Sequence, residues 1–285
     1  KQPDNVWRLD FQLGWNIDRE KAVLPENVDP LIRGMLGEDV QYEKEWYSVY
    51  TFQCRRMDKF VHGPVIFAGD SAHLVSPFGA RGANSGFSDA ENLAWKLDMV
   101  LSGNAEKSLI ESYDYERTMG ADENILNSTR STDFITPKSH ISQVFRDAVL
   151  ELAEDYSFAR PYINSGRLST PTPYYDSPIS TLDEDEWAAG PAPGFACLDA
   201  PVDDGGWLLE RLGDDFKVLV FGSAEIDTTI EIVRVPASGL IAERYGAVEG
   251  SVYLIRPDQV VTARWKKPNS QKILNAYRKA IANGC

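Results

Sequence analysis

Residues 63–97 read GPVIFAGDSAHLVSPFGARGANSGFSDAENLAWKL. The apolar run 64–68 is bounded by glycines and is consistent with a buried strand. Gly69-Asp70 ends it, and a loop containing Pro77, Gly79, Gly82, Asn84 and Gly86 follows. Phe87, Ala90, Ala94, Leu97 and Leu101 then recur at helical spacing, with Gly103 placed to end the helix. A buried strand feeding a helix through a glycine-rich loop commits this part of the chain to an α/β layer. It also carries a chemistry. The first-turn N–H groups of a helix lack intrahelical partners, and the helix dipole adds partial positive charge there. Glycines let a ligand approach that backbone directly. The helix is expected to begin near Asn84 or Ser85, either a good N-cap. Asp70 lies just past the strand, where α/β folds place ligand-contacting groups, and a carboxylate suits sugar hydroxyls. The plainer alternative, glycines that only satisfy turn geometry, stays open on these residues alone.

The flanking sequence divides by pattern. Residues 6–15 and 45–55 are aromatic-rich and roughly alternating, which predicts strands, with a short helix around 28–36 between them. Helices are expected over 105–129 and 139–152, the second burying Ile141, Val144, Phe145, Ala148, Val149 and Leu152 on one face. From 153 to 190 prolines break the pattern, and a linker hugging the surface is expected. An alternating series follows: a helical turn at 207–212, strands at 216–221 and 230–235, and a helix at 240–245. Two strands around Pro257-Asp258-Gln259 and a final helix over 270–282 complete it. The expected organisation is therefore 1–57, the end of a β-sheet region; 58–152, the loop and long helices; 153–190, the linker; and 191–285, a second α/β unit.

Composition bounds the partners. The chain has 285 residues and a formal net charge of −14, which repels phosphate backbones and anionic membrane surfaces, so nucleic acid is not an expected partner. The acidic clusters at 183–186 and 203–204 read as solvated loops. Three scattered cysteines, Cys54, Cys197 and Cys285, form no CxxC and point to a reducing, cytoplasmic setting. Three histidines without ligand spacing give no expected metal site. No apolar run approaches ~18 residues, so no membrane span is expected.

The loop and its helix resemble the single-component flavoprotein aromatic hydroxylases, the class of para-hydroxybenzoate hydroxylase and phenol hydroxylase. The resemblance rests on Gly69-Asp70-Ser71-Ala72-His73, Pro77, Gly79, Gly82, Asn84 and Gly86, then Asp89-Ala90-Glu91-Asn92-Leu93-Ala94-Trp95-Lys96-Leu97. It continues through Ser112-Tyr113 and Glu116-Arg117, includes Arg55, and reaches the C-terminal LLERLGDDFKVLVFG and VYLIRPDQVVTARW, which are similar to the thioredoxin-like tail of the phenol hydroxylase branch. Ser71 and Ala80 are mild departures from the family pattern. The resemblance implies FAD as cofactor, NAD(P)H as reductant, a flavin C4a-hydroperoxide and a small aromatic, phenolic substrate. It implies that Asp70 accepts from the flavin ribityl hydroxyls and that Pro77 lines the reactive edge of the ring. The amides around Gly82, Ala83 and Asn84 would face its pyrimidine side, with Gly69 and Gly79 shaping the loop. The implied fold is α/β, a remnant of the FAD and substrate domains joined to a thioredoxin-like domain suited to packing and to contact in a homodimer. The family's G-x-G-x-x-G and its middle Asp-Gly motif are absent, so by analogy the ADP-binding half lies outside this chain. The chain is then a portion of a larger enzyme, or is completed by another chain. Other flavin chemistry (a halogenase or a dehydrogenase) and a non-catalytic assembly module are the alternatives.

Among single residues, His73 is a candidate base or a structural hydrogen-bonding group. Arg55 is a candidate contact near flavin or substrate, or half of a surface ion pair. Arg81 faces either solvent or the flavin edge. Trp95 is expected to pack, Lys96 to face solvent, and Cys54 to be a small buried residue. With no CxxC, the thioredoxin-like unit is not expected to perform thiol chemistry.

Overall fold

The structure, a computed structural model, describes residues 1–285 except 15, 78, 164–169, 203–204 and 284–285. The expected strand 6–15 reaches into those exceptions at Trp15, and the acidic pair 203–204 and Cys285 lie outside the described residues.

The N-terminal stretch carries α1 (Arg19–Ala22) and α2 (Pro25–Leu36). Asp18 caps α1 by accepting from the N–H groups of Glu20 and Lys21. Pro25 opens α2, where its missing N–H has no helical acceptor to lose. The strands expected at 6–15 and 45–55 do not form; only Arg55–Arg56 is extended and paired, as β1. Alternation and aromatic content make a strand only where a neighbour takes up its N–H and C=O groups. Among the described residues, no strand pairs with these two stretches beyond Arg55.

β2 (Val61–His62) and β3 (Val65–Ile66) form a tight antiparallel pair turned at Gly63, so the expected strand 64–68 shrinks to two residues. β4 (His73–Leu74) pairs with β1, placing Arg55 opposite Leu74 and Arg56 opposite His73. Two long helices follow, α3 (Arg81–Leu101) and α4 (Leu109–Ile135), and they pack on each other. α5 (His140–Asp155) is capped by Ser139. Its apolar face is not buried as expected: only Val149 is, while Ile141 is 80% and Phe145 56% exposed. α5 runs into the expected connector, to Asp155, and a 3₁₀ turn at Ser157–Ala159 and the short α6 (Arg160–Ile163) follow. The connector's later part is held inside the molecule rather than solvated, with Tyr174, Ser177, Ile179 and Ser180 all buried.

The C-terminal unit is a four-stranded sheet in the order β6-β5-β7-β8. β5 (Lys217–Phe221) runs parallel to β6 (Glu231–Val235). α7 (Gly239–Tyr245) leads to β7 (Val252–Ile255), antiparallel to β5, and a hairpin leads to β8 (Val261–Trp265). α8 (Ser270–Ala280) ends the fold. The order and directions are those of a thioredoxin-like sheet, but residues 222–230 join the parallel pair without a helix. Parallel neighbours usually need a longer, helical crossover. The acidic cluster at 183–186 is engaged with this unit: Asp183 pairs with Arg264, Glu184 with Lys272, and Asp185 accepts from the Lys266 N–H.

Both faces of the sheet are covered. Leu219, Phe221, Tyr253, Ile255 and Val261 pack under α7 with Cys197 and Leu208. Val218, Val220, Val252, Leu254 and Ala263 pack under α8, and the same cluster takes in Trp95 of α3 and Leu109 of α4. The Trp95 ring meets Phe216 edge-on at 5.5 Å. The long helices and the C-terminal sheet thus share one apolar core.

Candidate active site

Residues 69–71 form a single 3₁₀ turn that places Asp70 at the mouth of a cavity of about 480 Å³. Arg55, Asp70, Pro77, Arg81, Gly82 and Ala83 line it, together with Tyr50, Thr51, Phe52 and Gln53. The volume lies within the range of small-molecule sites.

The helix N-terminus opens on this cavity. α3 begins at Arg81, three residues earlier than expected, because Ala80 takes a left-handed conformation (φ 51) and acts as the cap. Among the described residues no side chain caps the first turn, and Ala80, Arg81, Gly82 and Ala83 at that end line the cavity. Asn84 lies inside that turn and donates its side-chain N–H back to the Ala80 carbonyl at 2.8 Å. Gly82 is not required by the protein's own packing: a Cβ there would meet only Val75, at 3.7 Å. Alanine is favoured over glycine in a helix by about 1 kcal/mol, so its absence keeps this wall bare. Among the described residues, none hydrogen-bonds or pairs with the Asp70 carboxylate. A free carboxylate, an uncapped helix start and a bare glycine wall around one cavity fit the polar chain and flat ring edge of a flavin.

His73 stands apart. It is buried, absent from the cavity wall, and its Nε2 lies 2.7 Å from Asp89 Oδ2. Gly69, the first residue of the turn, is likewise absent from the cavity wall, with its N–H donating to the same Asp89 oxygen at 2.8 Å. Gly79 (φ 86) reverses the chain between Pro77 and Ala80. Arg81 lines the cavity but is otherwise buried, and its Nη1 donates to the Thr170 carbonyl. Arg55 makes no ion pair among the described residues; its neighbour Arg56 pairs with Asp122 at 2.6 Å instead. Cys54 is half-buried rather than buried.

Beneath the site lies a buried ionic seam that sequence reasoning missed. Lys96, expected on the solvated face, is 0% exposed and donates to Glu116 Oε2 at 2.8 Å. Arg256, from the end of β7, donates to Glu116 Oε1 at 2.6 Å and also pairs with Asp258. Asn92 donates to Glu116 and Asp258, and Ser177 to Glu116. Burial pushes Lys96 down to about 8 against the pull of Glu116. Burial raises the Glu116 carboxyl, but Arg256 and Lys96 outweigh it and hold it well below the usual range. Asp89 is also held low: burial opposes, while the His73 bond and the Arg117 charge prevail. The available signal was spacing. Asp89, Asn92 and Lys96 share one face of α3, and the adjacent Glu116 and Arg117 supply the charges that meet it.

Residues 3–128 match the model of the FAD binding domain family. A 3-(3-hydroxy-phenyl)propionate/3-hydroxycinnamic acid hydroxylase of Comamonas testosteroni is 31% identical over 177 residues, covering 62% of this chain and 30% of that protein. One of the same name from Mycolicibacterium vanbaalenii is 36% identical over 174 residues, covering 60% and 30%. Through residues 3–128 the chain is similar to the FAD binding domain family, and the relatives it matches are named as aromatic hydroxylases. The fold agrees with solved structures. Aklavinone-11 hydroxylase, in a ternary complex with FAD and aklavinone, aligns at a TM-score of 0.69 and 21% identity, over 93% of this chain and 52% of that one. The rebeccamycin biosynthetic enzyme RebC with bound 7-carboxy-K252c aligns at 0.72 and 23%, over 92% and 53%. The matched part is thus about three tenths of these hydroxylase relatives and about half of the solved chains.

In the C-terminal unit of this hydroxylase relative, burial pushes the Cys197 thiol up to about 12 against a hydrogen bond from Tyr245. A thiol held protonated is a poor nucleophile. Among the described residues, no helix is long and apolar enough to cross a membrane.

Proposed function

We propose that this chain forms the flavin-facing side of the active site of an NAD(P)H-using, FAD-dependent monooxygenase that hydroxylates a small aromatic, phenolic substrate. The observation that carries the reading is the free Asp70 carboxylate sharing one cavity with the uncapped N-terminus of α3. Asp70 accepts hydrogen bonds from the ribityl hydroxyls. The first-turn amides of Gly82, Ala83 and Asn84 face the pyrimidine edge, where the helix dipole favours negative charge. Pro77 walls the ring edge, and Arg55 adds a cation at the rim. Tyr50 and Phe52 add aromatic surface to the lining, suited to an aromatic ring. Bound FAD supplies the electron transfer and oxygen chemistry; the chain's own residues orient, shield from water and hold charge. The relatives' printed substrates, phenolic acids, support an aromatic substrate here.

FAD titration followed by flavin fluorescence tests the assignment. Asp70→Ala is expected to weaken binding by about tenfold, the scale of a lost hydrogen bond to a charged group. Wild-type and Asp70→Ala proteins of equal affinity would remove Asp70 from the site. Where binding is retained, a product gaining one hydroxyl separates hydroxylation from halogenation.

A further inference from the structure

The turn that presents Asp70 is fixed from behind. Gly69 is left-handed (φ 59), and its N–H donates to Asp89 Oδ2 at 2.8 Å. Asp89 is fully buried, and its other oxygen takes the Arg117 Nε–H at 2.6 Å. Arg117 also donates to Ser85, near the start of α3, and to Tyr174 Oη at 2.8 Å. Gly120, one turn along α4, leaves the guanidinium its space, since a Cβ there would lie 2.9 Å from Nη1.

Tyr174 belongs to the connector, yet the C-terminal unit holds it. Its N–H donates to the Gly194 carbonyl, and the Gly194 N–H donates to the Val261 carbonyl in β8, both at 2.8 Å. Gly194 (φ 88) is required there, because a Cβ would come within 2.2 Å of the Tyr174 carbonyl oxygen. A continuous line of hydrogen bonds therefore runs from β8 through Gly194, Tyr174, Arg117 and Asp89 to Gly69. Its middle members are buried, where such bonds reinforce one another.

We propose that Tyr174 is a positioning residue for the Asp70 turn, transmitting the placement of the C-terminal sheet to the flavin side of the cavity through Arg117 and Asp89. The ligand part of this role rests on the reading of Asp70 as a flavin contact. Burial raises the Tyr174 hydroxyl against the opposing charge of Arg117 and keeps it protonated. Its ring also lies near the guanidinium groups of Arg117 and Arg256, at 5.9 and 5.8 Å. A role in packing alone needs the ring; positioning needs the oxygen.

Tyr174→Phe in the full chain separates the two, because it keeps the ring and leaves one Arg117 donor unpaired. Amide exchange at Gly69 is expected to quicken by about tenfold, the scale of one lost buried hydrogen bond. Leu219 and Leu254 in the central strands keep their protection. FAD affinity falls by a similar factor, while Tyr175→Phe, a change at the exposed neighbour, moves neither reading. Unchanged Gly69 exchange in Tyr174→Phe overturns the proposal. Loss of protection at Gly69 and the central strands together also overturns it, by making Tyr174 a scaffold residue. Faster Gly69 exchange with unaltered FAD affinity overturns the positioning role. A wild-type chain that takes up no FAD, with Gly69 still loosened by Tyr174→Phe, sinks the flavin reading and leaves the relay supported.

Discussion

The sheet β5–β8 and the helix pair α3–α4 bury side chains of opposite character. Between its strands and flanking helices the sheet hides Val218, Leu219, Val220, Phe221, Val252, Leu254 and Ile255. The helix pair hides Asp89, Asn92, Lys96, Glu116, Arg117 and Ser128. An apolar core is non-directional and tolerates rearrangement at modest cost. A buried ionic seam gains little net stability, but its partners must meet at fixed positions, and a missing partner is heavily penalised. The difference matches what each region does. The sheet supplies mass and cohesion, while the helix pair must hold the Gly69–Asp70 turn and the first turn of α3 in one arrangement.

That contrast can be broken or sharpened by substitution. Glu116→Gln leaves Arg256 and Lys96 short of their shared counter-charge, and about 3–5 kcal/mol of stability should be lost in urea unfolding. A loss under about 1 kcal/mol would show that water reaches the seam. Leu254→Ala, with both faces of its strand covered, should lose about 2–5 kcal/mol by the same measurement. The two regions should also part company in acid. Glu116 and Asp89 bind fewer protons in the folded than in the unfolded chain, so their stabilisation is present above the ordinary carboxylate range. It is lost as the pH falls below the ordinary values of 4.5 for a glutamate and 3.8 for an aspartate. Thermal melts of Glu116→Gln at descending pH should therefore show a shallower slope than wild type, whereas Leu254→Ala should lie parallel to it. The smallest effect is expected at the exposed face of α5, where Phe145→Ser should stay within about 0.5 kcal/mol of wild type.

The two regions were also unequally legible. The runs FKVLVF and VYLI announce strands buried on both faces, and the Pro257-Asp258-Gln259 turn between β7 and β8 follows from its residues, with Gln259 at φ 55. The order strand, Gly-Asp, loop, helix was readable around the cavity, although the strand shrank and the helix start moved. Asn84 has the chemistry of a cap, but the backbone turns at Ala80, and no residue type marks alanine as a left-handed cap. The ionic seam escaped because periodicity reads every charge as solvent-facing, and only the facing helix converts Lys96 into a core residue. The N-terminal aromatic stretches misled in the other direction, since a strand pattern does not state whether a neighbour is present to pair with. The aromatic wall of the cavity at Tyr50–Phe52 was hidden inside that misread stretch.

Trp95 and Leu109, which enter the sheet's core from the long helices, carry a practical lesson for engineering. The C-terminal unit is not an exchangeable cassette. A chimera that swaps it must recreate the socket for the Trp95 indole against Phe216 and supply a guanidinium where Arg256 meets Glu116. Variation in this chain is therefore expected to travel in matched sets across that seam, with the tail and the long helices changing together.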